Sequence, residues 1–203
     1  MYNKFFKRFF DIIFSLVAII VLFPIMIVVA FFVRIKLGKP IIFKQKRAGL
    51  YGEIFTLYKF RSMTNATDKN GDYLPNNQRM TTFGKLLRST SLDELPELFN
   101  ILKGDMSFIG PRPLLIEYLP RYSNEQMKRH NMRPGLTGLT AVSGRTSLSW
   151  KRSLEIDVWY VSNSSFILDL KIIFKTIVTV FKRENISSNR GKFMGTEEDN
   201  ECK

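Results

Sequence analysis

The stretch IIFSLVAIIVLFPIMIVVAFFV, residues 12–33, decides the architecture: 22 residues run with only Ser15 and Pro24 departing from an apolar helix former. At about 1.5 Å per residue such a run reaches across a hydrocarbon core of about 30 Å as one helix. A cleaved signal peptide fits poorly, because the run is long and no small-x-small site follows it. The flanks argue against a plain span. Lys4, Lys7 and Arg8 precede the run, Arg34, Lys36, Lys39, Lys44, Lys46 and Arg47 follow it, and no acid stands between Arg34 and Leu50. A straight span puts one of these basic clusters outside, against the positive-inside rule. Pro24 removes a backbone donor and clashes one turn back, which kinks or breaks a helix. Each half is then about 10–12 residues, or about 15–18 Å, too short to cross. The expectation is a re-entrant helix–break–helix over residues 1–36, broken at Pro24, with a single span as the alternative. Asp11, at the entrance, caps or pairs near the interface or is simply solvated.

Beyond this segment, a chain of 203 residues has room for one good core. That sets a catalytic-size domain at 37–186 and a polar, disordered tail at 187–203. The net charge of +13 suits an anionic partner: nucleic acid, anionic lipid or a phosphorylated substrate. Nucleic acid is disfavoured, since the apolar block would have no role there and no reading motif is present. Cys202 is the only cysteine and His130 the only histidine, which excludes disulfides and multi-His or Cys-based metal sites.

The fold class expected is a mixed, α/β-like domain with a β-hairpin and amphipathic interfacial helices. Ile41–Arg47 and Glu53–Phe60 read as strands joined across two glycines in Ala48–Gly52. Residues 64–79 read as a long loop, 92–102 as a short helix, 114–128 as helix broken at Pro120, and 133–145 as loop or short strand. Ser165–Arg183 carries Ile167, Leu170, Phe174, Ile177 and Phe181 at helical spacing. That face packs on the core or lies in a membrane interface.

The chemistry centres on Ser91-Leu92-Asp93-Glu94-Leu95-Pro96. The plain structural reading is capping, either a Ser91/Glu94 capping box or Asp93 as the cap with Pro96 in the first turn. Either reading sets both carboxylates at a helix N-terminus, where exposed N–H groups favour anions and keep Asp93 ionised. A carboxylate can attack phosphorus, and an adjacent Glu94 can hold Mg²⁺, a hard cation that wants carboxylate oxygen. Basic residues stand in short motifs that suit phosphate: Lys59 and Arg61 in YKFRSM, Arg88, and Arg112 between two prolines in GPRP. The residue before a proline is held extended, which preorganises the Arg112 fork for bidentate phosphate contact.

FKQKRAGLYGEIFTLYKFRSM (43–63), FGKLLRSTSLDELPELFNILKGDMSFIGPRP (83–113), RPGLTGL (133–139), Gly144-Arg145, and Asp157 with Tyr160 together resemble the bacterial sugar transferases. The likeness is to their monotopic polyprenol-phosphate phosphoglycosyl transferases in minimal form, over residues 1–183. It implies transfer of a sugar 1-phosphate from a UDP-sugar to undecaprenyl phosphate with release of UMP. It implies Asp93 as covalent nucleophile, Glu94 as a Mg²⁺ ligand, and a re-entrant first helix at the cytoplasmic face of the bacterial inner membrane, in contact with its lipid. Lys59, Arg88, Arg112, Arg133 and Arg145 become phosphate or nucleotide candidates and Asp157 a supporting one, with a second copy of the chain a candidate partner. The sequence departs from the family pattern at Ala141 and Ser143, where amide side chains are common.

Overall fold

The computed structural model describes residues 2–144, 147–182 and 193–195. After a short π-helical turn, α1 runs from Lys7 to Leu37 as one helix of 31 residues, with Pro24 inside it. No non-helical residue interrupts it, so the expected break at Pro24 is absent. The proline leaves one intrahelical bond unmade, and packing along the whole helix holds the rest. Lys7, Asp11, Ser15, Met26, Val29 and Val33 form a buried stripe at three- and four-residue spacing. Ala18, Ile19 and Leu22 fill the middle of that stripe. They pack against Phe55, Leu57, Leu98, Ile101 and Met106, while Met26, Val29 and Val33 meet Phe60 and Leu87. The opposite face, from Phe9 and Ile13 through Ile20 and Val28 to Ile35, is exposed and apolar.

Both ends of α1 are tied to the same body. At the start, Lys7 pairs with Asp169, and Tyr160 donates to that carboxylate at 2.5 Å. Arg8 donates to the carbonyls of Ile101 and Leu102, and Asp11 accepts from the Phe108 N–H at 3.0 Å. Asp11 is therefore a buried partner of the domain. At the far end Arg61 donates to the carbonyls of Leu37 and Lys39.

The hairpin forms as expected: β1 (Ile42–Ala48) pairs antiparallel with β2 (Ile54–Phe60) in register Ile42↔Phe60 to Ala48↔Ile54. The segment from Thr64 to Pro75 holds only isolated bridges before α2 (Asn76–Arg79). A helix not anticipated, α3 (Thr82–Ser89), follows, with Thr81 capping Gly84 N. A 3₁₀ turn at Leu92–Glu94 then leads into α4 (Glu97–Lys103). β3 (Ser107–Ile109) precedes α5 (Asn124–Met127) and pairs in parallel with β4 (Gly135–Thr137). Pro120 sits in a 3₁₀ segment, Ile116–Arg121. Then come α6 (Leu139–Val142), α7 (Trp150–Asn163), also unanticipated, and α8 (Phe166–Lys182). The class is mixed as expected, yet among the described residues the sheets are two pairs of strands and helices dominate.

Most of the tail lies outside the described residues. Phe193–Gly195 does not behave as disordered: Phe193 is 0 % exposed, seated among Tyr118, Tyr122 and Trp150. α8 buries Asp169 and Ile172 and leaves Ile167, Leu170, Phe174 and Ile177 exposed, so its apolar face is not spent on the core.

Candidate active site

Neither capping reading holds. Ser91 adopts a left-handed backbone (φ 55°) and makes no side-chain cap, and Pro96 occupies the cap position of α4. The acidic pair sits instead on the tight 3₁₀ turn that joins α3 to α4. Asp93 is 7 % exposed, wedged where this turn meets β2 and α3. Burial, and then the Glu94 charge, push its carboxyl above the usual carboxylate range, with Lys59 and Arg88 opposing. That differs from the freely ionised aspartate expected at a helix end. A more basic carboxylate is a better nucleophile where it is ionised.

Three of the expected cations converge here. Lys59, from the end of β2, donates to Glu94 Oε1 at 2.7 Å. Arg112 Nη2 stands 3.5 Å from the same oxygen with its side chain half exposed. Arg88, from α3, is fixed by its Nε donating to Ser62 Oγ at 2.9 Å and acts electrostatically on both Asp93 and Glu94. Arg112 owes its position to the close pairing of β4 with β3 and the backbone that follows it. Gly110 N donates to Thr137 O at 2.9 Å and Gly135 N to Pro111 O at 3.0 Å. A Cβ on Gly135 would lie 2.1 Å from Gly110 N, and one on Gly110 would lie 2.4 Å from Arg133 O. The GPRP and RPGLTGL runs are thus two sides of one close backbone contact, and Arg129 completes it by donating to Arg112 O at 2.8 Å.

Other candidates lie elsewhere. Arg133 donates to Gly104 O at 2.8 Å and serves the C-terminal end of α4, opposite the acidic pair. Asp157 is buried, held by Arg129 at 2.8 Å and Thr140 at 2.5 Å, which makes it a brace between α7 and its neighbours. Arg145 lies outside the described residues. Sequence reasoning missed Glu97, which is 3 % exposed and 2.9 Å from Lys59 Nζ. Burial raises its carboxyl to about 7, with Lys59 pulling it down and Glu94 adding to the rise. Its position four residues after Asp93 was the available signal.

Among the described residues no group of three acidic, His or Cys side chains could cage a metal alone. The donor set still fits Mg²⁺ in its usual manner, in which one or two carboxylates share the ion with substrate phosphates and water. From Ser91, Glu94 and Arg112 an apolar trough of about 650 Å³ runs between α1 and α8, past Phe14, Leu22, Leu136 and Ile173. Ala141 and Val142 lie in its wall, so the position where an amide was expected faces apolar surface.

A long apolar helix, the buried Asp93 under the charges of Lys59 and Arg88, and an apolar trough that opens at Glu94 and Arg112 lie side by side in one fold. The chain belongs to the bacterial sugar transferase family, whose model matches residues 2–183. It is 50 % identical over 185 residues to the uncharacterized sugar transferase EpsL of Bacillus subtilis, covering 89 % of each chain. It is 38 % identical over 199 residues to the undecaprenyl-phosphate galactose phosphotransferase of Salmonella typhimurium, covering 90 % of this chain and 42 % of that protein. It is also 42 % identical over 190 residues to the UDP-glucose:undecaprenyl-phosphate glucose-1-phosphate transferase of Klebsiella pneumoniae, covering 89 % and 40 %. The chain thus spans about four tenths of the length of the latter two relatives.

Proposed function

We propose that this protein transfers a sugar 1-phosphate from a UDP-sugar to undecaprenyl phosphate, releasing UMP, as a membrane step of glycoconjugate assembly. The observation that carries the reading is one continuous surface: Glu94 and Arg112 belong both to the charged cluster and to the mouth of the trough. Such a surface suits a phosphate head with a long isoprenoid tail. The names of the Salmonella and Klebsiella relatives point to the same acceptor.

In the first step an Asp93 oxygen bonds to the β-phosphorus of the donor. The bond from that phosphorus to the bridging oxygen breaks, and UMP departs with the electron pair. In the second step a phosphate oxygen of the lipid bonds to the same phosphorus and the Asp93–phosphorus bond breaks, restoring the carboxylate. Both steps are phosphoryl exchanges that need no net proton transfer, so charge stabilisation dominates. Lys59, Arg88 and Arg112 supply it around the diphosphate, and Arg112 can offer a planar fork to two phosphate oxygens. Mg²⁺ held at Glu94 would further offset the diphosphate charge.

The placement follows from the donor, which is cytoplasmic, so the domain faces the cytoplasm at the inner membrane. The exposed apolar faces of α1 and α8 support a monotopic attachment in which both helices rest in the lipid. The test is a nucleotide-release assay with undecaprenyl phosphate and a panel of UDP-sugars. UMP release with a phosphosugar on Asp93 is expected. Release of UDP would replace this reading with an ordinary glycosyl transfer.

A further inference from the structure

Glu97 is the acidic side chain at this site that the exchange leaves unused. It opens α4 and is too deeply buried to meet a substrate. Lys59 Nζ lies between two carboxylates, 2.7 Å from Glu94 Oε1 and 2.9 Å from Glu97 Oε1. The contacts differ in kind. Lys59 donates a directed hydrogen bond to Glu94, whereas Glu97 Oε1 meets the ammonium as a close charge without a well-aligned hydrogen bond. Beside them is a polar cavity of about 30 Å³, lined by Arg47, Lys59, Glu97 and Arg112, with room for one water. Arg47 Nε is itself buried without a hydrogen-bond partner.

Resting on the reading of a diphosphate donor above, we propose that Glu97 is a positioning residue that retains Lys59 in the site when Lys59 releases Glu94 to meet the donor's phosphates. An incoming diphosphate adds negative charge on the solvent side of Lys59 and competes directly with Glu94 for it. An ammonium on a flexible four-carbon stem has three donors and can serve a phosphate while still touching a carboxylate. Glu97 is suited to be that carboxylate: it is fixed in the first turn of α4 and lies on the buried side. A neutral side chain of the same shape would fill the space without the desolvation cost of a buried charge. The charge therefore has a role in holding Lys59 that packing does not account for.

Full-length protein in lipid nanodiscs tests this with UDP as the probe, since UDP carries the diphosphate whatever the sugar. Initial acetylation of Lys59 is read by mass spectrometry in wild type, Glu97→Gln and Glu97→Asp. With UDP present, Glu97→Gln is expected to acetylate Lys59 about threefold or more faster than wild type, and Glu97→Asp to recover most of the protection. In turnover, Glu97→Gln should lower kcat about tenfold while KM for the nucleotide sugar moves less than about threefold. Equal Lys59 acetylation in wild type and Glu97→Gln overturns the proposal, as does no recovery in Glu97→Asp. Should Glu97→Gln fail to fold, Glu97→Asp against wild type decides, with an exposed Lys59 counting against. Acetylation needs no turnover, so a failed transfer assay with Lys59 freed in Glu97→Gln would sink the reaction and leave this contact standing.

Discussion

Asp93 and Glu97 are four residues apart, both buried, and their environments assign them different work. Asp93→Asn should abolish sugar-phosphate transfer, by about a thousandfold or more, with the melting temperature and membrane extraction unchanged. Residual turnover within about tenfold of wild type would move the nucleophile elsewhere. Because burial and Glu94 raise the Asp93 carboxyl, the rising acidic limb of kcat/KM should lie above the ordinary aspartate range. Glu97 faces Arg47 from β1, Lys59 from β2, Glu94 from the 3₁₀ turn and Arg112 from the GPRP loop. Its carboxyl is raised in the fold to about 7, so the folded state binds the proton more tightly than the unfolded chain. Stability from this group is complete below the ordinary glutamate range and falls as pH rises toward about 7. Glu97→Gln removes that loss, so its melting temperature should gain on wild type between pH 5 and about 8 and match its trend below. Parallel curves across that window would show that Lys59 already offsets the burial. At this scale the fold brings Lys59, Arg88 and Arg112 to the acidic turn from 34 residues before Asp93, 5 before it and 19 after it, so their motifs were visible in the sequence and their meeting was not. The roles of Arg133 and Asp157 were not legible, because an arginine on a carbonyl or a carboxylate in an internal brace looks the same in sequence as one awaiting phosphate.

Element by element, legibility follows how much of a pattern burial leaves visible. The β1–β2 hairpin could be read because its turn holds Gly49 and Gly52 between β-forming runs. α7 could not, because its buried stripe is Ser153, Leu154, Asp157 and Tyr160, half of it polar. α3 was hidden by Gly84, which sits inside a helix because a Cβ there would lie 1.9 Å from Ser62 O. The β3–β4 pairing depends on the same kind of closeness. Gly135→Ala must push Gly110 backbone away, so a loss of about 2–4 kcal/mol in stability is expected, with Arg112 displaced as well. Denaturant unfolding measures the first and KM for the nucleotide sugar the second. A wild-type midpoint would mean that the strands can part without cost. Phe193 is the other element-level surprise, since a polar tail carries no periodicity to announce one buried ring. Phe193→Ala leaves Tyr118, Tyr122 and Trp150 facing a cavity and should lower stability by about 3–5 kcal/mol. If thermal melting of Phe193→Ala overlays wild type, the aromatic seat closes on itself without the tail.

Across the whole molecule, the arrangement of α1 bears most directly on attachment. The sequence argument rested on a proline break, yet the helix is unbroken from Lys7 to Leu37. What argues for a same-side N-terminus is docking. Arg8 and Asp11 join the first turns to α4 and β3, while Met26, Val29, Val33 and the Arg61 contacts join the last turns to the hairpin side. A helix that crossed the bilayer away from its domain would have to abandon one of these sets. Arg8, Asp11 and Lys7, which pairs with Asp169, would then be stranded in or beyond lipid, at about several kcal/mol. Under the proposed monotopic attachment, a same-side N-terminus rests on the docked stripe of α1 more than on Pro24. A cysteine placed at position 3, with Cys202 replaced by serine, should resist a membrane-impermeant thiol reagent in intact cells. Pro24→Ala alone should leave it resistant, because it restores one helical bond and disturbs none of the docking contacts. Adding Lys7→Ala, Arg8→Ala and Asp11→Ala to Pro24→Ala removes most of the charge and the polar docking of the first turns, and should expose part of the population to the reagent. Full labelling of the position-3 cysteine in the otherwise wild-type protein would make α1 a single span and would move its first turns away from the domain.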